Sequence, residues 1–307
     1  MDVLQEELRA QGIPFVQNEP LQNHTSFKIG GPARLFCTPG TTQQLAAAMQ
    51  AARQNGVPCY LLGKGTNVLF CDEGHHGLVI EPSAALTHIA VEGDTVVAGA
   101  GTQLANVCVA AQQNSLAGLE FAYGIPGSVG GAVYMNAGAY GGETCDVLQS
   151  VTYMAEDGTI QQLDVEQLAL GYRTSIFQTR PWCILTATYK LNKGNKAEIL
   201  ALMQDYMGRR EDKQPLDMPS AGSAFKRPPG AFAGALIDQS GLRGYQVGGA
   251  AISQKHCGFI VNMGQATCAD VLQLANDVSD IVKEKTGYVL EKEIRVVDVD
   301  ANIFALE

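Results

Sequence analysis

Charge is scarce in this chain of 307 residues: 17% are Asp, Glu, Lys or Arg, against roughly 25% in an ordinary soluble domain. Basic residues are the scarcer kind, 21 against 31 acidic ones. The formal net charge of −10 excludes a non-specific nucleic-acid surface or an anionic-membrane surface. No run of about 18 apolar residues occurs, so no transmembrane helix is expected. The opening MDVLQEELRAQG is acidic and amphipathic, unlike a secretory signal, and a cytoplasmic location is expected. No two of the eight cysteines form a CxxC pair, and they read as buried, reduced thiols. His75 and His76 lack a partner cluster and read as loop residues, so no metal site is expected.

Glycine, by contrast, is abundant, with 34 in the chain where the usual share is roughly 7%. No collagen period accompanies it, and 46% hydrophobic content argues against disorder. The glycines therefore belong to a folded chain, at places where a side chain would obstruct the backbone. Residues 99–142 hold ten of them and a single charged side chain, Glu120. The stretch 124–142 suits a backbone wrapped closely around a large ligand, with N–H groups free to hold an anion. Taken alone it equally suits a packed turn cluster with no ligand. A second element, Gly63-Lys64-Gly65-Thr66-Asn67, follows a predicted strand. It is not a Rossmann fingerprint, because Val68 stands where the third glycine belongs and no helix follows. Nor is it a Walker A loop, because Lys64 precedes Gly65 and Thr66. A further cluster, 222–249, is expected to shape the contact between a second domain and the ligand.

Helical periodicity marks residues 42–55, and 103–114 after Thr102 as N-cap. Asn195 and Thr267, each with an acid three residues on, read as capping boxes that open two longer helices. Strands are predicted at 60–62, 68–70, 77–80, 95–98, 150–154 and 183–191. The segment 290–297 alternates, with Glu291, Glu293 and Arg295 on one face. Strands and helices do not alternate strictly, so the class is α+β, and length favours two domains. Lys193-Gly194-Asn195 is the natural boundary, giving an N-terminal segment 1–22 and domains over 23–193 and 194–307.

Six strings occur in one order: NHTSFKIGGPA (23–33), LLGKGTNVLF (61–70), GIPGSVGGAVYMNAGAYGGE (124–143), GYRTSIF (171–177), SAGSAFKRP (220–228) and LEKEIR (290–295). Together they resemble the UDP-N-acetylenolpyruvoylglucosamine reductase (MurB) family, and SQKHCGFIVN at 253–262 points to its shorter subtype. The resemblance implies an FAD-binding region of the vanillyl-alcohol-oxidase or PCMH-like type, then a smaller α+β substrate-binding domain. It implies non-covalent FAD, NADPH as hydride donor, and reduction of a UDP-sugar enolpyruvyl ether in peptidoglycan precursor synthesis. The cofactor cradle would comprise Gly63, Lys64, Gly65, Thr66, Asn67, Gly124, Pro126, Gly127, Ser128, Gly130, Gly131, Ala132, Asn136, Gly138 and Ala139.

The same resemblance implies three catalytic residues. Hydride addition to a double bond conjugated with a carboxylate makes an enediolate, which needs a positive donor and a proton source. Arg173 matches the carboxylate contact, and its planar fork suits that group. Glu293 matches a C-terminal acid held protonated by burial and by the substrate's own charge. Ser223 matches the proton donor to the neighbouring carbon. Lys213, Lys226 and Arg227, with Arg173, are the expected substrate contacts. An FAD-dependent alcohol or sugar oxidase of the same broader fold accounts for the glycines equally well but gives these three residues no task. A nucleotide-sugar-binding protein without flavin is the remaining alternative.

Overall fold

Capping chemistry decides where the helices begin. In the computed structural model, which describes residues 1–305, these are α1 (Asp2–Ala10), α2 (Thr42–Gln54), α3 (Leu104–Gln113), α4 (Val129–Tyr134), α5 (Lys196–Lys213), α6 (Ala233–Gln239) and α7 (Cys268–Thr286). Positions 306 and 307, the end of the expected second domain, lie outside the described residues. Thr267 and Asp270 form the reciprocal box that opens α7, and Gly287 closes it in the left-handed conformation. Asn195 Oδ1 accepts from the N–H groups of Ala197 and Glu198 and starts α5. Each such cap stabilises by about 1 kcal/mol. Thr102 does not cap α3. Its hydroxyl is committed to His88, donating to the carbonyl at 3.1 Å and accepting from the N–H at 3.2 Å, so the helix starts after Gln103 with no side-chain cap.

Three sheets carry these helices. The first runs in the order Phe15–Pro20, Pro32–Cys37, His75–Ile80, Cys59–Leu61, with an antiparallel edge and parallel interior pairs. His75 is therefore a strand residue rather than a loop residue. It is fully buried, with Nε2 on Ala301 O at 2.8 Å, and burial pulls its pKa down. The second sheet is antiparallel: Ile160–Asp164, Leu148–Met154, Cys183–Lys190, Thr95–Gly99, Ile89–Glu92. The third, Ser220–Ser223, Phe259–Asn262, Ala250–Ile252, Gln246–Val247, is also antiparallel and packs against α6 and α7.

Two large cores result. One joins α1 to α5 with the first two sheets, and Ile199 and Met203 of α5 are buried in it. The other joins the third sheet, α6 and α7 with Phe27, Ile29 and Leu69 from early in the chain. Polar contacts tie the two together. Asp72 caps the N-terminus of α7 at the N–H groups of Cys268 and Ala269, at 2.7 and 3.1 Å. Ser26 Oγ donates to Ser220 O at 2.6 Å. Six of the eight cysteines are buried, and burial pushes the thiols of Cys37, Cys108 and Cys183 up to about 12.

Residues 290–297 are not one strand. Only Arg295–Val297 pairs in a ladder, parallel to Val68–Phe70. The preceding residues run beside 224–226, with Glu293 N donating to Ala224 O at 2.9 Å and Lys226 N to Glu291 O at 2.8 Å. The expected row of three side chains is dispersed among separate partners: Glu291 pairs with Lys226, Glu293 with Arg173, and Arg295 with Gln178.

Candidate active site

The loop 63–67 leaves a strand of the first sheet and turns sharply. Gly65 has φ +62°, and a Cβ there would stand 2.0 Å from His24 O, so no other residue fits. The backbone N–H groups of Gly63, Lys64, Gly65, Thr66 and Asn67 find no acceptor among the described residues. Facing this loop is the turn 124–128. Thr66 Oγ1 donates to Pro126 O at 3.3 Å, and a Cβ on Gly127 would lie 3.1 Å from the same hydroxyl. The N–H groups of Gly124, Gly127 and Ser128 are likewise without acceptors among the described residues. Lys64 is paired with Glu81 at 3.5 Å, and both line a cavity of about 340 Å³ with His24, Ser26, Lys28 and Gly63. Two facing loops with bare donors, and a lining carboxylate, Glu81, that is paired with Lys64, fit an anionic diphosphate such as FAD carries.

Much of the remaining glycine-rich stretch serves packing instead. Ser128 caps α4, its hydroxyl accepting from Gly131 N at 3.3 Å. The N–H groups of Val129 and Gly130 donate inward, to Thr102 O and Ala100 O. A Cβ on Gly130 would meet Ala100 Cβ at 3.0 Å, and one on Gly138 would meet Gly142 O at 2.6 Å. Ala132 is buried in the first core, and Ala139 pairs with Gly142 in a two-residue ladder. Asn136, fully buried, turns into the protein: its amide donates to Glu143 Oε2 at 3.0 Å and Gly171 O at 3.1 Å, and its oxygen accepts from Cys145 N. That side chain ties the glycine-rich stretch to the segment that carries Arg173.

Arg173, Ser223 and Glu293 line one cavity of about 450 Å³. Arg173 Nε donates to Glu293 Oε1 at 2.6 Å, and Nη2 reaches Gly138 O at 3.4 Å. Nη1 is buried and has no partner, a donor held in readiness for an acceptor that enters from the cavity. The guanidinium lies 4.8 Å from the centre of the Tyr172 ring, and Tyr172 Oη accepts from Arg227 N at 3.0 Å. Arg173 adopts φ +59°, a conformation that costs a non-glycine residue roughly 1–3 kcal/mol and clusters at functional sites. Burial raises the Glu293 carboxyl, an effect offset only in part by the Arg173 charge.

Ser223 is aimed by a bulge. The pairing Ser220 to Val261 and Ser223 to Phe259 leaves one extra residue on the first strand, and Gly222 takes it up at φ +77°. The Ser223 side chain is exposed to the cavity. Of the expected substrate contacts, Arg227 lines the cavity and its guanidinium stacks on Phe232. Lys226 is held by Glu291, and its charge is felt at Glu293. Lys213 does not line the cavity, but its charge acts on His256, which does. Arg243, paired with Asp238 at 2.6 Å, and Lys255 and His256 join the same wall, as does Asp238 itself, although no motif singled them out by role. Lys255 and His256 stand in the string SQKHCGFIVN, and Arg243 in the cluster 222–249. Of the glycines in that cluster, Gly234 lines the cavity whereas Gly230, Gly241 and Gly244 do not.

Comparison with known proteins places this geometry. The model of the UDP-N-acetylenolpyruvoylglucosamine reductase C-terminal domain matches residues 214–297, and that of an FAD binding domain matches residues 33–164. A UDP-N-acetylenolpyruvoylglucosamine reductase of Lachnoclostridium phytofermentans is 49% identical over 289 residues, covering 93% of each chain. One from Caldanaerobacter subterraneus subsp. tengcongensis is 46% identical, covering 91% of this chain and 92% of its own. The crystal structure of the MurB reductase of Thermus caldophilus superposes with a TM-score of 0.79 at 38% identity, covering 92% of this chain and 98% of the other.

Proposed function

The chain belongs to the UDP-N-acetylenolpyruvoylglucosamine reductase family, and on that premise we propose how its own residues carry the reaction. It is an oxidoreductase of α+β fold with a PCMH-type FAD-binding domain and a C-terminal reductase domain. It reduces UDP-N-acetylglucosamine enolpyruvyl ether to UDP-N-acetylmuramate. The family's substrate brings a carboxylate, and the buried, unpartnered Nη1 of Arg173 is the observation that carries this reading.

FAD, when bound, supplies the hydride that adds to C3 of the enolpyruvyl group. The N–H groups of 63–67, 124, 127 and 128 hold its diphosphate. Arg173 takes the substrate carboxylate on Nη1 and stabilises the negative charge that hydride addition drives onto it. A second carboxylate arriving beside Glu293 raises the Glu293 carboxyl further by like-charge repulsion. The protonated Glu293 then donates a hydrogen bond to the enediolate. Ser223 delivers the proton to C2, and its hydroxyl is restored from the water that reaches this exposed position. The enediolate carbon is basic enough for a serine hydroxyl to serve. Arg227 and Lys255, with Lys213 nearby, supply positive charge for the UDP diphosphate, and Arg243 and Lys226 can add to it from their pairs with Asp238 and Glu291.

NADPH would be the hydride source for the flavin, and the reaction would be cytoplasmic, as the family resemblance implies. An oxidase using oxygen and an alcohol leaves the unpartnered Arg173 nitrogen without a task. Purified protein should carry an oxidised flavin spectrum that NADPH bleaches under anaerobic conditions and the enolpyruvyl ether restores. A colourless protein, or a flavin untouched by NADPH, contradicts the proposal.

A further inference from the structure

We infer that Arg210 is the cation of the FAD diphosphate site, an assignment that rests on the flavoenzyme reading above. Helix α5 passes the turn 124–128, and a Cβ added to Gly124 would stand 3.2 Å from Arg210 Cδ and 4.0 Å from Nη1. Any side chain at 124 would press on the arginine. The guanidinium is partly buried, and loss of water pulls its pKa down. No carboxylate among the described residues offsets this. Its neighbour Arg209, in contrast, is exposed and pairs with Asp205 at 2.7 Å. A partly buried guanidinium with no side-chain or backbone acceptor among the described residues is left free to receive an anion at the turn.

The surroundings say which anion. The same turn touches the loop 63–67 through Thr66 and Pro126, so it has Arg210 against its first residue and the bare N–H groups of the loop against its third. Lys64, the cation within the loop, is already paired with Glu81. Arg210 is not part of the cavity that holds Arg173, Ser223 and Glu293, whereas Arg243 and Lys255 are. Arg210 thus stands apart from the basic side chains of that cavity, while Lys28 and the paired Lys64 line the cavity beside loop 63–67.

Three variants of the full chain test this: Arg210→Gln, Arg210→Lys and the surface control Arg209→Gln. FAD release from the purified holoenzyme and rebinding to the stripped protein are followed by flavin fluorescence. Arg210→Gln should raise the Kd for FAD roughly 10- to 100-fold, Arg210→Lys should recover part of that loss, and Arg209→Gln should match wild type. Stripped of FAD, Arg210→Gln should unfold at or above the wild-type temperature, because it removes an uncompensated cation. Inorganic pyrophosphate should compete with FAD for the wild type and less for Arg210→Gln. Wild-type affinity in Arg210→Gln overturns the assignment, as does a loss of FAD that merely follows a lower unfolding temperature of the stripped protein. Retained FAD with a raised KM for the UDP-sugar or NADPH assigns the cation to that ligand's diphosphate and also overturns it. A wild-type protein that binds no FAD at all defeats the flavoenzyme reading itself.

Discussion

The loops 63–67 and 124–128 present backbone N–H groups on a floor of glycine, whereas the cavity nearby presents side chains: Arg173, Ser223, Glu293 and a basic wall. On the proposed function the first surface would hold a cofactor that stays in place, for which shape and fixed dipoles suffice. The second must distinguish a carboxylate in its ground state from an enediolate, which requires groups that move a proton or change their charge. A mutation in the first region should therefore act on flavin retention and stability. One in the second should act on a half-reaction while flavin stays bound.

Gly65→Ala is expected to have the largest effect. Its φ of +62° and the 2.0 Å approach to His24 O predict a loss of about 3 kcal/mol or more together with loss of FAD. Thermal unfolding and flavin content per chain measure both. Arg173→Lys keeps the charge but loses the fork shared between Glu293 and the substrate carboxylate. Reoxidation of reduced flavin by substrate should slow roughly 100- to 1,000-fold, with flavin content unchanged. Flavin loss in this variant would break the distinction between the two regions.

Glu293→Gln should slow the same step about 10- to 100-fold and alter its pH dependence. The raised carboxyl stays protonated to higher pH than an ordinary Glu, so the wild-type rate should fall as pH climbs through that raised value. The amide cannot ionise and should lose this limb, which a stopped-flow pH series will show. Gly222→Ala should be mildest. At φ +77° with open space for a Cβ, it costs about 1 kcal/mol, and any easing of the bulge re-aims Ser223, for a loss of a few-fold in reoxidation rate. A wild-type rate in this variant would show that the bulge does not position the hydroxyl.

The two regions also differ in how far the sequence foretells them. Loop 63–67 was legible because its glycines and its departure from a strand leave few backbone paths. The stretch 124–142 was legible as a cluster but not in its division of labour. Its first residues carry N–H groups without acceptors among the described residues, whereas Ser128 nucleates α4 and Gly130 and Gly138 are demanded by neighbouring backbone and side chains. Thr102 resembled a cap by spacing but was captured by the backbone of His88, 14 residues away, a contact that local pattern cannot reveal. Glu291, Glu293 and Arg295 share one face of an alternating string, yet their partners come from residues 65, 120 and 117 positions away. Long-range pairing of this kind leaves no trace in periodicity. Lys255, His256 and Arg243 were overlooked for the same reason: each sits in an ordinary turn until the third sheet folds them toward Arg173.

Glycine excess therefore has two sources here, a bare donor surface and tight packing behind it, and the chemistry lies beyond both. Ser223→Ala tests that separation most directly, with flavin reduction by NADPH and reoxidation by the enolpyruvyl ether timed separately in an anaerobic stopped-flow instrument. The account predicts a fully loaded flavin, bleaching at the wild-type rate and reoxidation slowed by roughly 100-fold or more. Severely slowed bleaching with normal reoxidation contradicts it.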